Sequence, residues 1–347
     1  MEDAVRASFA QQAIWCAQLG SPFTARLLEG IGRAIDRKTA TGRRVLDWPG
    51  VPDATGDAVA LRLAGALHNL VRNGRAGDLA ALYPPAMLPA ANELTVRAMA
   101  AIEAHDSAVA RFLDFAPQTN EVARSALLYA GFMEIGERTG LPLSLFELGA
   151  SAGLNMIADR YGYLLGDRQA GDVGSPVQIS PEWEGGAPEG ADPVIIDRAG
   201  CDLSPLDLSV AEERERMLAY IWPDQPARMA RIEAAIGLAL AELPRIDRAD
   251  AGSWIVERLS RSAGAGQVRV LYHSIAFQYF PAALQDEITA HMAALGARAT
   301  ETTPLAWLSF ENVEGRGAEL TLRLWPGGDV VTLALADAHV RRVRWRV

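Results

Sequence analysis

The chain has 347 residues, half of them hydrophobic and 22% charged, which is apolar material for a large buried core and excludes disorder. Its formal net charge of −10 argues against a nucleic-acid partner, because phosphate binding needs clustered Lys and Arg. The two cysteines, Cys16 and Cys201, exclude a disulfide framework and a cysteine-rich zinc site. No uncharged apolar stretch approaches the roughly 20 residues that span a bilayer, so no membrane partner is expected. With no basic-then-apolar leader over residues 1–10, the expected location is the cytoplasm.

Residues 1–140 read as a helical domain. Ala4–Leu19 spaces Val5, Phe9, Ile14 and Trp15 at near-helical intervals and stops at Gly20-Ser21-Pro22. Pro22–Ile35, Ala58–Val71, Ala90–Phe115 and Glu121–Arg138 follow, with Asn73-Gly74 and Thr139-Gly140 as stops and prolines between the segments.

The texture changes over residues 141–347. Leu143–Leu148, Val194–Asp197, Val268–Tyr272 and Leu305–Phe310 are strand candidates, with Pro244–Ala251 as a further strand and its end. Helical stretches at Leu154–Tyr163, Val210–Glu242 and Ala282–Leu295 separate most of them, which predicts a parallel sheet with crossover helices. Glu319–Trp325 and Val330–Leu335, joined by Pro326-Gly327-Gly328-Asp329, predict a closing antiparallel hairpin. Gly166–Gly190 reads as a long loop or insertion, and the basic run Arg341–Arg346 as a final edge strand with solvated arginines rather than a binding patch. The expected fold class is α/β: a Rossmann-like sheet ending in an antiparallel hairpin, preceded by an all-helical domain.

The informative segment is Phe146-Glu147-Leu148-Gly149-Ala150-Ser151-Ala152-Gly153-Leu154-Asn155, where a strand meets a glycine-rich turn and, by the pattern, a helix. Free N–H groups at such a helix start meet polar groups of a ligand, and glycine lets the ligand approach. A dinucleotide fingerprint fails at Leu154, which is too bulky for its sixth position. The same residues spell Gly-x-Ser-x-Gly, the nucleophile-elbow pattern, with Asp202 or Asp250 and then His273 in hydrolase order; the helical region upstream lacks the expected oxyanion-hole run.

The pattern resembles the first motif of class I methyltransferases, with Glu147, Gly149, Ser151 and Gly153 in the motif's places and serine for the middle glycine. Asp202, in Gly200-Cys201-Asp202-Leu203-Ser204-Pro205, resembles the acid that holds a cofactor ribose, although it lies 49 residues beyond Gly153 where about 20 is usual. Asp197 is its competitor. Asp250, followed by alanine, resembles the acid that contacts adenine. At the end of the next strand, His273 is a candidate general base or a buried structural histidine, with Ser274 and Tyr279 nearby.

Across nearly the whole chain the sequence resembles a bacterial family of uncharacterised proteins. Gly20-Ser21-Pro22, Leu61-Arg62, Ala66-Leu67-His68, Tyr83-Pro84, Gln118-Thr119-Asn120-Glu121, Trp222-Pro223-Asp224-Gln225 and His273-Ser274 carry that likeness together with the glycine-rich turn. The methyltransferase resemblance implies S-adenosylmethionine as cofactor and a small acceptor as substrate. It puts Glu147, Gly149, Ser151, Gly153, Asn155, Asp202, Asp250 and Ser274 around the cofactor, and His273 and Tyr279 at the acceptor. Gln118, Asn120, Glu121 and Arg124, just ahead of the first strand, are candidates for the substrate or, for Arg124, the methionine carboxylate; helix capping explains much of the same string. Trp222–Gln225 reads as packing and a turn. A protein that binds the cofactor without transferring methyl, or a serine hydrolase using Ser151, are the other classes. The five histidines show no metal-ligand spacing.

Overall fold

The computed structural model describes residues 1–118, 120–260 and 264–347. The chain opens with α1 (Glu2–Gln18), α2 (Pro22–Ala34), α3 (Ala40–Leu46), α4 (Val59–Arg72), α5 (Gly77–Ala80), α6 (Ala91–Ala104) and α7 (Asp106–Phe112). Then come α8 (Ser125–Thr139), β1 (Leu143–Leu148), β2 (Gly162–Leu165), β3 (Arg168–Gly171), β4 (Gln178–Ile179), β5 (Glu182–Glu184) and β6 (Ile195–Asp202). After them run α9 (Ala211–Ala219), α10 (Pro226–Ala241), β7 (Ile246–Arg248), α11 (Ala251–Leu259), β8 (Val268–Ser274) and α12 (Ala282–Gly296). The chain closes with β9 (Leu305–Val313), β10 (Gly317–Trp325), β11 (Val330–Ala336) and β12 (Arg342–Trp345).

Two compact units result, one of Met1–Thr119 with Ser209–Glu233, the other of Asn120–Leu208 with Ala234–Val347. α8, which precedes residue 140, falls in the second unit, and α9 falls in the first.

The helical unit is built on amphipathic stripes. Phe23, Leu27, Leu28 and Ile31 of α2 meet Val5, Phe9 and Cys16 of α1 and Leu63, Leu67 and Leu70 of α4 in one core. Asp224, beyond α9, accepts the Ser21 hydroxyl and the Phe23 N–H (2.8 Å), so the Trp-Pro-Asp-Gln string caps α2 from across the unit. His68 Nδ1 donates to the Ala219 carbonyl at 3.1 Å. The stretch Ala90–Phe115 is two helices, broken at His105, rather than one.

In the second unit nine strands form one sheet, in the order β5-β12-β11-β10-β9-β8-β1-β6-β7. The block β7-β6-β1-β8-β9 is parallel, and β9, β10, β11 and β12 meander antiparallel, so the hairpin expectation holds and extends by two strands. From β1 the chain fills one side, β6 then β7, before returning to place β8 on the other. In such sheets ligands lie outside the carboxyl ends of the strands at this reversal. One face is covered by α11 and α12, whose Trp254, Ile255, Ile288 and Met292 pack on Phe146, Leu148 and Leu271. On α8, Ser125–Ile135 are all buried; Phe132 meets Tyr272 edge to face at 5.2 Å. A Cβ on Gly131 would come within 2.7 Å of the Leu308 methyls, so glycine there lets α8 pack on Leu308 without displacing it.

Three expectations need correction. Leu154–Tyr163 is not an α-helix: tight turns and one 3-10 turn (Ala158–Arg160) lead into β2. Buried Leu154, Met156 and Ala158 supply apolar spacing without the free face a surface helix would show. Gly166–Gly190 is not a plain loop, since it carries β3, β4 and β5. Finally, β12 is not an edge, because β5 pairs with it in parallel, although Arg342 and Arg344 are solvated. Among the described residues no helix is long and apolar enough to cross a membrane.

Candidate functional site

Glu147 is the penultimate residue of β1, flanked by Gly200 of β6 and Tyr272 of β8. Its side chain points to the α8 face and is 1% exposed, and its Oε2 accepts from the Tyr272 hydroxyl at 3.2 Å. Burial pushes this carboxyl well above its ordinary range. The Tyr272 bond opposes that rise, the charge of Asp202 adds to it, and Arg124 opposes it. Burial thus favours the uncharged form of this carboxyl.

The turn after β1 is tightly folded, with Gly149, Ser151 and Gly153 at φ +67°, +54° and +74°. The left-handed region strains a non-glycine residue, and, Val340 at +53° aside, those of this unit among the described residues are Ser151, Asn120 at +37° and Ile275 at +48°. All three are joined to the ends of β1 and β8. Asn120 Oδ1 accepts the Leu154 N–H at 2.9 Å, Ser151 N donates to Asp202 Oδ2 at 2.9 Å, and Ile275 N donates to the Phe310 carbonyl at 2.7 Å. Asn155 is 1% exposed and its Oδ1 accepts from the Ser125 hydroxyl at 2.8 Å.

The turn's donors are therefore not free for a ligand in the way a helix start would leave them. Ser151 N–H goes to Asp202, Gly153 N–H to the Ala150 carbonyl at 2.7 Å, and Leu154 N–H to Asn120. What is left over is the Ser151 hydroxyl, which is buried and has no hydrogen-bond partner among the described residues. Such a group is uncommon in a folded protein and points to a missing partner.

Asp202 ends β6 and is partly exposed; besides Ser151 it accepts the Ser204 N–H at 2.8 Å. Asp197 lies opposite Ser144 in the amino-terminal half of the sheet, so of the two acids only Asp202 stands beside the turn. Asp250 is exposed and caps α11, its Oδ1 accepting from Gly252 N and Ser253 N at 3.0 and 3.2 Å. Next to the turn, Ala152, Pro205, Leu206, Pro244, Ile246 and Arg248 line a cavity of about 250 Å³. That is below the roughly 300–1,000 Å³ of whole-ligand pockets, which leaves room for no more than part of a ligand, such as one ring.

On the other side of β1, Ser274 is buried and its carbonyl accepts from Arg124 at 3.0 Å; Arg124 Nε also donates to the Ala338 carbonyl at 3.0 Å. Arg124 thus ties α8's entry to the end of β8. Glu121 caps the 3-10 turn Val122–Arg124 through Ala123 N at 3.1 Å. Gln118 belongs to the other compact unit, and Thr119 lies outside the described residues.

His273 is fully buried, and both ring nitrogens are engaged. Nδ1 donates to Glu311 Oε1 at 2.6 Å, and Nε2 accepts from Trp307 Nε1 at 2.9 Å. Tyr279, in the 3-10 turn Phe277–Tyr279, is 58% exposed. Glu311 lies beyond the strand expected over Leu305–Phe310, and its only signal in the sequence is a carboxylate continuing an apolar strand. Tyr272, Ala276 and Trp307 gave no signal beyond apolar bulk.

The strand ends thus bring together Glu147, Gly149, Ser151, Asn155, Asp202 and Ser274, with Asn120 and Arg124 clamping them. Among the described residues no cluster of His, Cys, Asp or Glu could hold a metal. No curated protein and no solved structure matches this chain. Over residues 6–345 it matches, and so belongs to, the family described as an uncharacterized protein conserved in bacteria, DUF2332.

Proposed function

We propose that the second unit binds S-adenosylmethionine at the carboxyl ends of β1, β6 and β8 and passes its methyl group to a small acceptor. The observation that carries this is the charge character of the site. Two acids, Glu147 and Asp202, stand at the strand reversal, while the Ser151, Gly153 and Leu154 N–H donors of the turn are taken by the protein itself. A phosphate ligand would meet carboxyls and few free donors, whereas a ligand with an ammonium, a sulfonium and hydroxyls matches them. The orphaned Ser151 hydroxyl fits the same ligand, and the small cavity beside Ala152 suits its flat base.

In this reading Glu147 takes the ligand's cationic end and ionises on doing so. Asp202 retains lone pairs for ribose hydroxyls after accepting its two backbone bonds. The cofactor supplies an electrophilic methyl group when bound; the chain's task is alignment of donor and acceptor with water kept out. The net charge of −10 favours a small acceptor over nucleic acid.

A second reading is binding without transfer. It is favoured by His273, the candidate base, having no free nitrogen and no exposure. The hydrolase reading is disfavoured by the Ser151 hydroxyl, which meets no imidazole.

Calorimetric titration with S-adenosylmethionine and its demethylated product tests the proposal, run in two buffers of different ionisation heat. Micromolar binding with proton release, and at least tenfold weaker binding in Glu147→Gln and Asp202→Asn, is expected. A folded protein that binds neither ligand refutes it. Binding with no transfer across an acceptor screen supports the second reading.

A further inference from the structure

Glu311 lies at the end of β9, one strand away from the candidate site, and holds the segment that follows β8. Its Oε1 accepts from the backbone N–H groups of Ala276 and Phe277, both at 3.1 Å, and its Oε2 from Gln278 N at 3.3 Å. Three successive amides converge on one carboxylate, the arrangement in which a backbone nest holds an anion. His273 donates to the same carboxylate from below, and Trp307 fixes His273 by donating to its other nitrogen. The carboxyl is held below its ordinary range: burial works against the charge, but the bonds from His273, Ala276 and Phe277 outweigh it. The Gln278 side chain adds a further tie, accepting from Asn312 N at 3.0 Å.

What this anchor positions is Ala276. A Cβ built on Gly149 would lie 2.6 Å from the Ala276 methyl, so Ala276 closes directly on the first glycine of the turn. Ile275, immediately before it, is held at φ +48°, a conformation that a β-branched residue adopts only when its surroundings impose it. The imposed strain is that of a segment pinned at both ends, by the Phe310 carbonyl at Ile275 and by Glu311 at residues 276–278.

From this we infer that Trp307, His273 and Glu311 form a positioning relay that fixes Ala276 against Gly149, and that this contact walls the β8 side of the ligand site proposed at the carboxyl ends of β1, β6 and β8. His273 is then a positioning residue, not one that takes a proton from an acceptor. The ligand identity rests on the reading above; the relay itself does not.

The roles separate by substitution. In His273→Asn, the amide nitrogen stands near the position of Nδ1 and can still donate to Glu311; in His273→Leu nothing donates. Two readouts are taken on each variant and on Glu311→Gln: amide hydrogen exchange at Ala276, Phe277 and Gln278 against the interior of β8 and β9, and the dissociation constant for the demethylated cofactor product. Wild type and His273→Asn are expected to protect the three amides and to bind within about threefold of each other. His273→Leu and Glu311→Gln are expected to lose that protection at least tenfold, keep the strand interiors protected, and bind at least tenfold more weakly.

Amides that stay protected in Glu311→Gln overturn the relay, as does unchanged affinity in a variant whose three amides have become exposed. If wild type binds no ligand, the function proposed above fails, while the exchange pattern still decides whether the relay exists. Unchanged affinity in His273→Leu, paired with loss of methyl transfer in both His273 variants, would return His273 to the role of base.

Discussion

Replacing Gly149 by alanine asks whether the turn after β1 is as closed as its geometry implies. At φ +67° a side chain costs about 1–2 kcal/mol through the clash of Cβ with the backbone. The added methyl would also sit 2.6 Å from the Ala276 methyl, and forcing such an overlap in a packed site costs roughly 1–3 kcal/mol. Gly149→Ala should therefore destabilise the protein by about 2–5 kcal/mol, read from urea unfolding at constant slope. Combining it with Ala276→Gly removes the overlap and leaves only the backbone strain. The double mutant cycle should thus show about 1–3 kcal/mol of favourable coupling. A single-mutant cost under about 1 kcal/mol, or coupling within the ~0.5 kcal/mol expected of independent sites, would refute the close approach of the two turns.

Three further outcomes follow from buried groups. Glu147, with its carboxyl raised by burial, is protonated in the fold while its unfolded counterpart ionises above the ordinary 4.5, so it lowers stability as pH rises from there toward its folded value; Glu147→Gln should match wild type at pH 4 and exceed it at pH 8, and parallel pH curves would count against this. His68 is pushed down to about 4, chiefly by burial, so its contribution is intact above 6.5 and is lost as pH falls toward 4, by roughly 3 kcal/mol. Hydrogen exchange in α4 should accelerate over that window in wild type and not in His68→Leu. Burial pushes the Cys16 thiol up to about 12 and raises Cys201 as well, so both should resist iodoacetamide at pH 8 until urea is added; fast labelling of the native protein would show that either is accessible.

The parts of the fold written in local pattern were legible. Amphipathic spacing over Pro22–Ile35 and Ala58–Val71 fixed α2 and α4 within a residue or two, because their apolar faces need only a core to meet. Apolar-rich runs located β1, β8 and β9: β1 and β8 are buried along nearly their whole length, which leaves little room for polar alternation, and β9 is buried at every second position from Ala306 to Phe310. The glycine-rich turn was found for a similar reason: only glycine, or a strained serine, takes the positive φ angles that turn requires.

Tertiary structure decided the rest. Leu154–Asn155 lost its helix because Asn120 and Ser125, about 30 residues earlier, bind the backbone and side chain there, and no local propensity reports such a partner. The same holds for Arg124, which the sequence offered to a ligand and the fold gave to the Ser274 and Ala338 carbonyls. His273 was visible as a strand-end histidine. Whether it was free or buried depended on Trp307 and Glu311, which register places beside it from the next strand. Residue type and spacing determine which groups can act. Which of them are already bound to the protein is a matter of long-range hydrogen bonds, and those exist only once the strands are in register.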